Sequence, residues 1–149
     1  MSDRACRRLS EALFDSDLIA TRVILAIAES LWAIMLWWPG ETFGRPTYTI
    51  MSLAMPEDLW AVVFTVTASL QIHIVAAAKY RGPLAKSFAA WNAALWVFVV
   101  VSMLLSVTPP PAAIAGEIAL MLAAGWVFVR PLILAHWYRR AYGPAAQHG

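Results

Sequence analysis

The sequence is poor in cysteine and in charged side chains. Cys6 is the only cysteine among 149 residues, which rules out an internal disulfide and a zinc site built from several cysteines. Asp, Glu, Lys and Arg make up 13% of the chain, whereas they make up about 25% of a typical soluble domain. The net charge of +2 is too small to indicate nucleic acid as a partner. These shortages point away from disulfide-stapled and nucleic-acid-binding proteins.

Apolar residues are correspondingly abundant in the chain. They account for 61% of the chain, which includes eight tryptophans, and the mean hydropathy is +0.66. Soluble domains have about 45–50% apolar residues, and a soluble fold of this size lacks the interior volume to bury more. The length allows one domain. We therefore predict an integral membrane protein with a single domain over residues 1–149.

Four apolar stretches are long enough to cross a bilayer. We place them at about 18–38, 59–78, 88–107 and 112–137. A span of about 20 residues gives about 30 Å of helix, which matches the hydrocarbon thickness. The prolines at 109–111 predict a tight turn that makes the last two spans antiparallel neighbours. The predicted fold is an all-α integral membrane four-helix bundle.

Two shorter helices are expected at the membrane surface. Residues 1–17 carry apolar side chains at helical spacing, which predicts an amphipathic interfacial segment, with a solvated tail as the alternative. In the connection 39–58, Pro46 can open a short helix that is apolar enough to lie on the outer surface. The first span lacks a signal-peptide cleavage pattern, so we expect it to stay as an anchor. Residues 143–149 are expected to be disordered.

Basic residues outside the spans fall almost entirely on one side of the membrane. Eight of them share that side: Arg4, Arg7, Arg8, Lys79, Arg81, Lys86, Arg139 and Arg140. The opposite side carries only Arg45. Because positive charge favours the cytoplasmic side, the pattern predicts both termini in the cytoplasm.

Aromatic residues near the span ends agree with this orientation, since tryptophan and tyrosine favour the interface between lipid and water. The outer interface is assigned to Trp37, Trp38 and Trp60, and the inner interface to Tyr80, Trp137 and Tyr138.

Polar residues inside the spans are the candidates for function, because each needs a partner or a cavity in lipid. The candidate intramembrane site consists of Glu29, Arg22, Gln71, His73, Asn92 and Arg130. Glu29 lies near the middle of the first span, where a carboxylate costs about 2.5–3.5 kcal/mol on insertion scales. The other five share the inner half of the bilayer, which predicts one polar layer with Glu29 above it. Glu117 lies alone in the outer part of the fourth span.

Two interpretations of this layer stay open. In the first, Glu29 is a proton or cation site modulated by His73 and Arg130. In the second, Glu29, Gln71, His73 and Asn92 form interhelical hydrogen bonds worth about 0.6–2 kcal/mol each. Arg22 and Arg130 would then extend their side chains to the cytoplasmic headgroups.

Small residues four apart predict close helix contacts. Such pairs occur at Ala26 and Ser30 and at Ala119 and Ala123. The sequence contains no recognisable nucleophile–base pair, no glycine-rich phosphate loop and no paired carboxylates. His73 and His136 have no further ligands at suitable spacing, so we predict no metal, no cofactor and no enzymatic activity.

Part of the chain resembles a group of small four-span membrane proteins encoded by bacteriophages and prophages. The likeness rests on Phe43–Tyr48 (FGRPTY) and on Met55–Trp60 (MPEDLW), continuing to Gln71. The resemblance implies a genomic setting rather than a mechanism. It also suggests a holin-like role, because holins are small, multi-span and self-assembling. The chain departs from holins in its greater length and in its lack of a strongly basic tail.

A second, shorter stretch resembles the first helix of small multidrug transporters. Leu25–Glu29 (LAIAE) carries the likeness, which implies that Glu29 binds protons and cations. Those transporters also have four spans. They have short loops, however, whereas the connection 39–58 has 20 residues, and their later-helix motifs do not appear.

With the setting that the phage resemblance implies, we expect a small non-enzymatic protein of a bacterial inner membrane, associated with a phage or prophage. It would act through helix association in the bilayer, as an accessory subunit or a holin-like oligomer. Its expected partners are the lipid bilayer and other membrane subunits, including copies of itself. The alternative is a proton-coupled small-molecule transporter that uses Glu29.

Overall fold

A computed structural model describes residues 3–40, 42–77, 82–107, 112 and 114–142, with side chains described between residues 16 and 137. These residues form five α-helices and one short 3-10 helix, without a strand among them. The α-helices are α1 (Asp3–Trp37), α2 (Thr49–Ala54), α3 (Glu57–Ala76), α4 (Pro83–Ser106) and α5 (Ile114–Tyr142), and the 3-10 helix is Pro46–Tyr48.

Four of these helices are long and apolar enough to cross a membrane. The spans are Ser16–Trp37, Glu57–Ala76, Pro83–Ser106 and Ile114–Trp137. Large apolar side chains cover their outer surfaces, including Leu31, Leu105 and Leu122, each more than 60% exposed. Lipid solvates such side chains without cost. The predicted all-α four-helix membrane fold is confirmed, and the chain is a multi-pass membrane protein.

The third span begins earlier than hydropathy predicts, at Pro83 instead of residue 88. Gly82 precedes it in extended backbone, and proline is favoured in the first helical turn. The helix therefore includes Lys86, whose amide donates to the Gly82 carbonyl at 3.2 Å. A lysine so near a span end can reach the headgroup region with its amine.

Helix α1 is continuous for 35 residues, where the sequence predicted a separate interfacial helix before the first span. No proline or glycine occurs between residues 3 and 37, so no residue type there interrupts the backbone hydrogen bonds. The interfacial position of residues 1–17 stays a prediction. The predicted disordered tail, 143–149, falls outside the described residues.

Helix α1 packs beside α3 and α5, and α4 packs beside α5. Aromatic rings fill the space between α3 and α4: Trp60 stacks on Phe98 with centroids 5.5 Å apart, and Phe64 meets Trp96 at 5.9 Å. Across the centre of the bundle, Trp32 of α1 reaches Trp96 of α4 at 6.4 Å. The core therefore lies where large rings from three helices meet.

The connection between α1 and α3 folds onto the end of the bundle. The side chain of Met51, in α2, is fully buried. The backbone amide of Ile50 donates to the Ser106 hydroxyl at 3.3 Å, which ties α2 to the end of α4. Both Glu57 carboxylate oxygens accept backbone N–H groups, from Thr42 and from Phe43, each at 3.2 Å. These bonds hold the connection in one conformation.

The structure corrects one of the interfacial aromatic assignments. Trp60 is 2% exposed and its indole N–H donates to the Met51 carbonyl at 3.0 Å, so it packs inside the bundle instead of facing the headgroups. Trp37 and Trp38 are exposed at the end of α1, and Trp137 is exposed near the end of α5. Tyr80 and Tyr138 lie outside the described side chains.

Candidate functional site

The inward face of α1 carries the two charged side chains that the bundle encloses most completely. Buried residues recur along this helix every three or four positions, which is the helical period: Leu18, Arg22, Leu25, Glu29, Trp32 and Leu36. Arg22 is 1% exposed and Glu29 is 0% exposed. They are seven residues apart, or about 10 Å along the axis, and each bonds to a different set of partners.

Glu29 bonds to α4 across the centre of the bundle. Its Oε1 accepts a hydrogen bond of 2.6 Å from the Asn92 side-chain amide, and a long one of 3.5 Å from the Trp96 indole. The first has the length of a strong bond and the second contributes little. Glu29 Oε2 and Asn92 Oδ1 are enclosed without a hydrogen-bond partner in the part of the chain that the structure describes. We call Glu29, Asn92 and Trp96 the central group.

Arg22 joins three helices near the end of the bundle at which α1 enters its span. Its Nη1 donates to Gln71 Oε1 on α3 at 2.9 Å, and its Nη2 donates to the Ala85 carbonyl on α4 at 3.1 Å. The guanidinium is therefore inside the bundle, where the sequence allowed it to extend to the headgroups. The side-chain oxygen of Gln71 and the carbonyl of Ala85 lie at one depth and accept the hydrogen bonds that lipid headgroups would otherwise have accepted. We call Arg22, Gln71 and Ala85 the arginine group.

Arg130 connects α5 with α1 at the same end of the bundle. Its Nη2 lies 3.2 Å from Asp17 Oδ2, and its guanidinium lies 5.4 Å from the centre of the Trp126 ring. The Arg130 side chain is nearly buried, while Asp17 is 68% exposed. Helix α5 continues through Pro131 without ending. This ion pair joins two helices beside the arginine group, away from Glu29.

His73 lies outside the polar cluster, on the exposed face of α3. It follows Gln71 by two positions, which on a helix is a rotation of about 200°. Because Gln71 points into the bundle, His73 points out of it. The prediction of one polar layer used the depth of each residue in the bilayer and left out the direction in which its side chain points around the helix axis. None of the described contacts joins His73 to Glu29 or to Arg22, and His136 is also exposed.

Sequence reasoning missed two partners of the candidate residues. Trp96 follows Asn92 by four positions, so the two share a helix face, and this spacing was a usable signal. Asp17 lies just before the first predicted span, at the same bilayer depth as Arg130 in the fourth. The opposite charges at equal depth were the signal for that pair.

The opposite end of the bundle holds a further carboxyl group, Glu117 on α5, which is half-buried beside Trp32 and Tyr48. Tyr48 stacks on Phe43 at 5.7 Å and meets Trp32 edge to face at 6.0 Å. Burial raises the pKa of the Tyr48 hydroxyl, and the Glu117 carboxylate acts in the same direction against the opposing effect of Arg45. Tyr48 is consequently a neutral hydrogen-bond donor at physiological pH.

Within the described residues, no three His, Cys, Asp or Glu side chains come together in a way that would hold a metal ion. The arrangement suits two tasks: fixing the register of four helices through buried hydrogen bonds, and keeping one carboxyl group away from water.

Comparison of the whole chain with models of protein families, with curated proteins and with solved structures finds no match.

Proposed function

We propose that this chain is a non-enzymatic subunit of a larger membrane assembly and that it acts through helix association in the bilayer. In this proposal it lies in a bacterial inner membrane, the setting that the phage resemblance implies. Both termini are in the cytoplasm, as the distribution of lysine and arginine predicts. Its partners are other membrane-spanning helices, and further copies of the chain are the simplest of them.

The observation that carries the proposal is the uneven covering of the four spans. In the most apolar stretch of each span, 17% of the α5 residues are buried within the chain, against 39% in α1, 39% in α3 and 50% in α4. Helix α5 therefore has the largest share of its surface available for a partner outside the chain.

The exposed part of α5 also has the composition of a helix contact surface. Ala115, Gly116 and Ala119 are exposed, and a Cβ added to Gly116 would meet no atom within 4 Å. Small residues let two helix backbones approach closely, which drives association in lipid. The other small pair, Ala26 and Ser30, serves the chain itself: Ala26 is buried, and the Ser30 hydroxyl donates to its carbonyl at 2.7 Å.

The polar side chains support association more than transport. Arg22, Glu29 and Asn92 are enclosed by their own chain, so none of them is placed to line a channel between subunits. Hydrogen bonds of this kind fix the register of neighbouring helices. A bundle that encloses these polar side chains presents mainly its apolar outer surface to other proteins.

The test compares two exposed alanines in lipid nanodiscs or native membranes. We expect Ala119→Leu to shift the protein from oligomer to monomer in a crosslinking assay, because leucine keeps the partner backbone at a distance. Ala94→Leu places the same side chain on an exposed position of α4 and should leave the oligomer intact. A wild-type chain that is monomeric in both media, with no co-purifying membrane subunit, would remove the basis of the proposal.

The most specific form of the proposal is a holin-like oligomer in a phage or prophage setting, which rests on the resemblance of residues 43–71. Induced expression should then stop growth abruptly at a fixed time. Harmless expression at a high level would exclude this form while leaving the accessory subunit in place. An endolysin gene beside the coding sequence would favour the holin, and virion genes would favour a phage accessory protein.

A second candidate function is proton-coupled transport through Glu29, favoured by one observation. Glu29 Oε2 is enclosed without a hydrogen-bond partner among the described residues, so this oxygen is available to a proton. In liposomes with a pH gradient, the wild-type chain should drive uptake of ethidium and Glu29→Gln should abolish it. Proton-dependent uptake that survives in Glu29→Gln would exclude this function.

A further inference from the structure

Two hollows lie in a row on the outer surface of α1, and together we call them the groove, which ends beside a single basic residue. At the end of the helix, Ile34, Met35 and Trp38 line a hollow of about 360 Å³, together with Gly40, Thr42 and Arg45. Toward the middle of the helix, a second hollow of about 370 Å³ lies between α1 and α3 and is lined by apolar side chains that include Ile27 and Leu31.

The two hollows follow one face of the helix. Ile27, Leu31, Ile34 and Trp38 are spaced by four, three and four residues, which places them in one row, and all four are more than half exposed. From Ile27 to Trp38 the row is about 16 Å long, close to the thickness of one leaflet, about 15 Å. The groove therefore has the length and polarity of an acyl chain that enters from the headgroup region.

The polar end of the groove holds the only positive charge in its part of the sequence. No lysine or arginine other than Arg45 occurs between residues 23 and 78, while Glu41, Glu57 and Asp58 lie in the same connection. Arg45 is exposed and lines the hollow next to Trp38, a residue type that favours the headgroup level. Guanidinium groups bind phosphate through paired, charge-assisted hydrogen bonds.

The backbone that carries Arg45 is held in place from α3. Glu57 accepts the N–H groups of Thr42 and Phe43, and the Arg45 amide donates to the Thr42 carbonyl at 3.4 Å. These hydrogen bonds hold the backbone of Arg45 beside the hollow, while its side chain stays at the surface.

We propose that this groove binds one anionic phospholipid, with the phosphate at Arg45 and one acyl chain along Ile34, Leu31 and Ile27. The site lies on α1, away from the exposed face of α5, and it does not depend on whether the chain assembles with other subunits. The bound lipid would belong to the leaflet at the Trp38 end of α1.

The experiment measures binding of dioleoylphosphatidylglycerol to the detergent-solubilised full chain by native mass spectrometry. We expect Arg45→Gln to raise the apparent Kd of the tightest site about fivefold, which is the effect of one basic side chain near a membrane surface. Arg45→Lys should keep most of the affinity. Lys86→Gln removes a charge from the opposite end of the bundle and should leave the Kd unchanged.

Three results would overturn the assignment. The first is equal affinity in wild type and in Arg45→Gln. The second is an equal loss of lipid affinity in Lys86→Gln, which would mean that the affinity depends on the total charge of the protein and not on the groove. The third is displacement of the lipid by an excess of glycerol 3-phosphate, which would show that the site takes free phosphate. Because Arg45 is exposed, unchanged helical circular dichroism is the expected folding control.

Discussion

The two ends of the bundle are held together by different kinds of contact. Where α1 enters its span, the arginine group and the Asp17–Arg130 pair join all four spanning helices through polar bonds. Toward the other end, Trp32 stacks on Phe64 with centroids 5.1 Å apart, and both rings contact Trp96. The central group lies between these regions and belongs to both, since Trp96 is an aromatic ring and a donor to Glu29.

The difference separates two tasks that a membrane bundle has to perform. Aromatic rings supply contact area, because each makes many dispersion contacts and pairs of rings add a geometric preference. Buried hydrogen bonds supply less energy, but each is satisfied in only one register of the helices. The aromatic end should therefore determine how stable the bundle is, and the polar end should determine which arrangement it adopts.

The largest effect is expected at the aromatic end, where Trp96→Ala would leave a cavity among Trp32 and Phe64. Such truncations cost about 3–5 kcal/mol in well-packed cores. Reversible unfolding in mixed micelles measures the change, and Trp96→Phe is the control, because it keeps a ring and removes the indole N–H. If Trp96→Phe lowered the free energy of unfolding as much as Trp96→Ala, the stabilisation would come from the indole hydrogen bond and not from ring packing. The aromatic end would then not differ from the polar end in the way described above.

An intermediate effect is expected at the polar end. Arg22→Met keeps the volume of the side chain but leaves Gln71 Oε1 and the Ala85 carbonyl without their donor, at a cost of about 1–3 kcal/mol. A double-mutant cycle with Gln71→Leu sharpens the test, with a coupling of about 0.6–2 kcal/mol expected for an interhelical bond in lipid. Additive effects of the two substitutions would show that this hydrogen bond does not stabilise the bundle.

The smallest effect is expected for the ion pair between Asp17 and Arg130, in which the acid is exposed. Asp17→Asn removes one charge from a pair whose acid is 68% exposed, so water and salt screen it, and the cost should be under about 1 kcal/mol. The same unfolding measurement at low and high salt gives the check, because the difference between wild type and variant should shrink as salt rises. A salt-independent loss above that value would place Asp17 in a drier environment than its exposure indicates.

The sequence predicted the spans well because bilayer thickness acts directly on length and hydropathy. Seven of the eight span ends lie within two residues of the prediction, and the exception is the start of the third span at Pro83. There the apolar run begins after Lys86, whereas the helix begins at the proline. Hydropathy indicates where the apolar part of a span begins, whereas the start of the helix is determined by the backbone, here by a proline in the first turn.

Five of the six candidate residues are buried, as a polar layer requires: Arg22, Glu29, Gln71, Asn92 and Arg130. The sixth, His73, is exposed, and the contacts of the buried ones were less predictable than their burial. The separation of Glu29 from Arg22 and the outward position of His73 depend on rotation about each helix axis, which depth does not specify. Trp60 was misassigned for a related reason, since a tryptophan near a span end can turn either to the headgroups or to the core.

The unbroken course of α1 has a mechanical consequence. About 20 Å of the same helix precedes Ser16, with no proline or glycine to act as a joint. A helix resists twisting because every turn is tied to the next by backbone hydrogen bonds. A rotation imposed on the segment before Ser16 would therefore be transmitted along the backbone to Arg22 and Glu29 in the interior of the bundle.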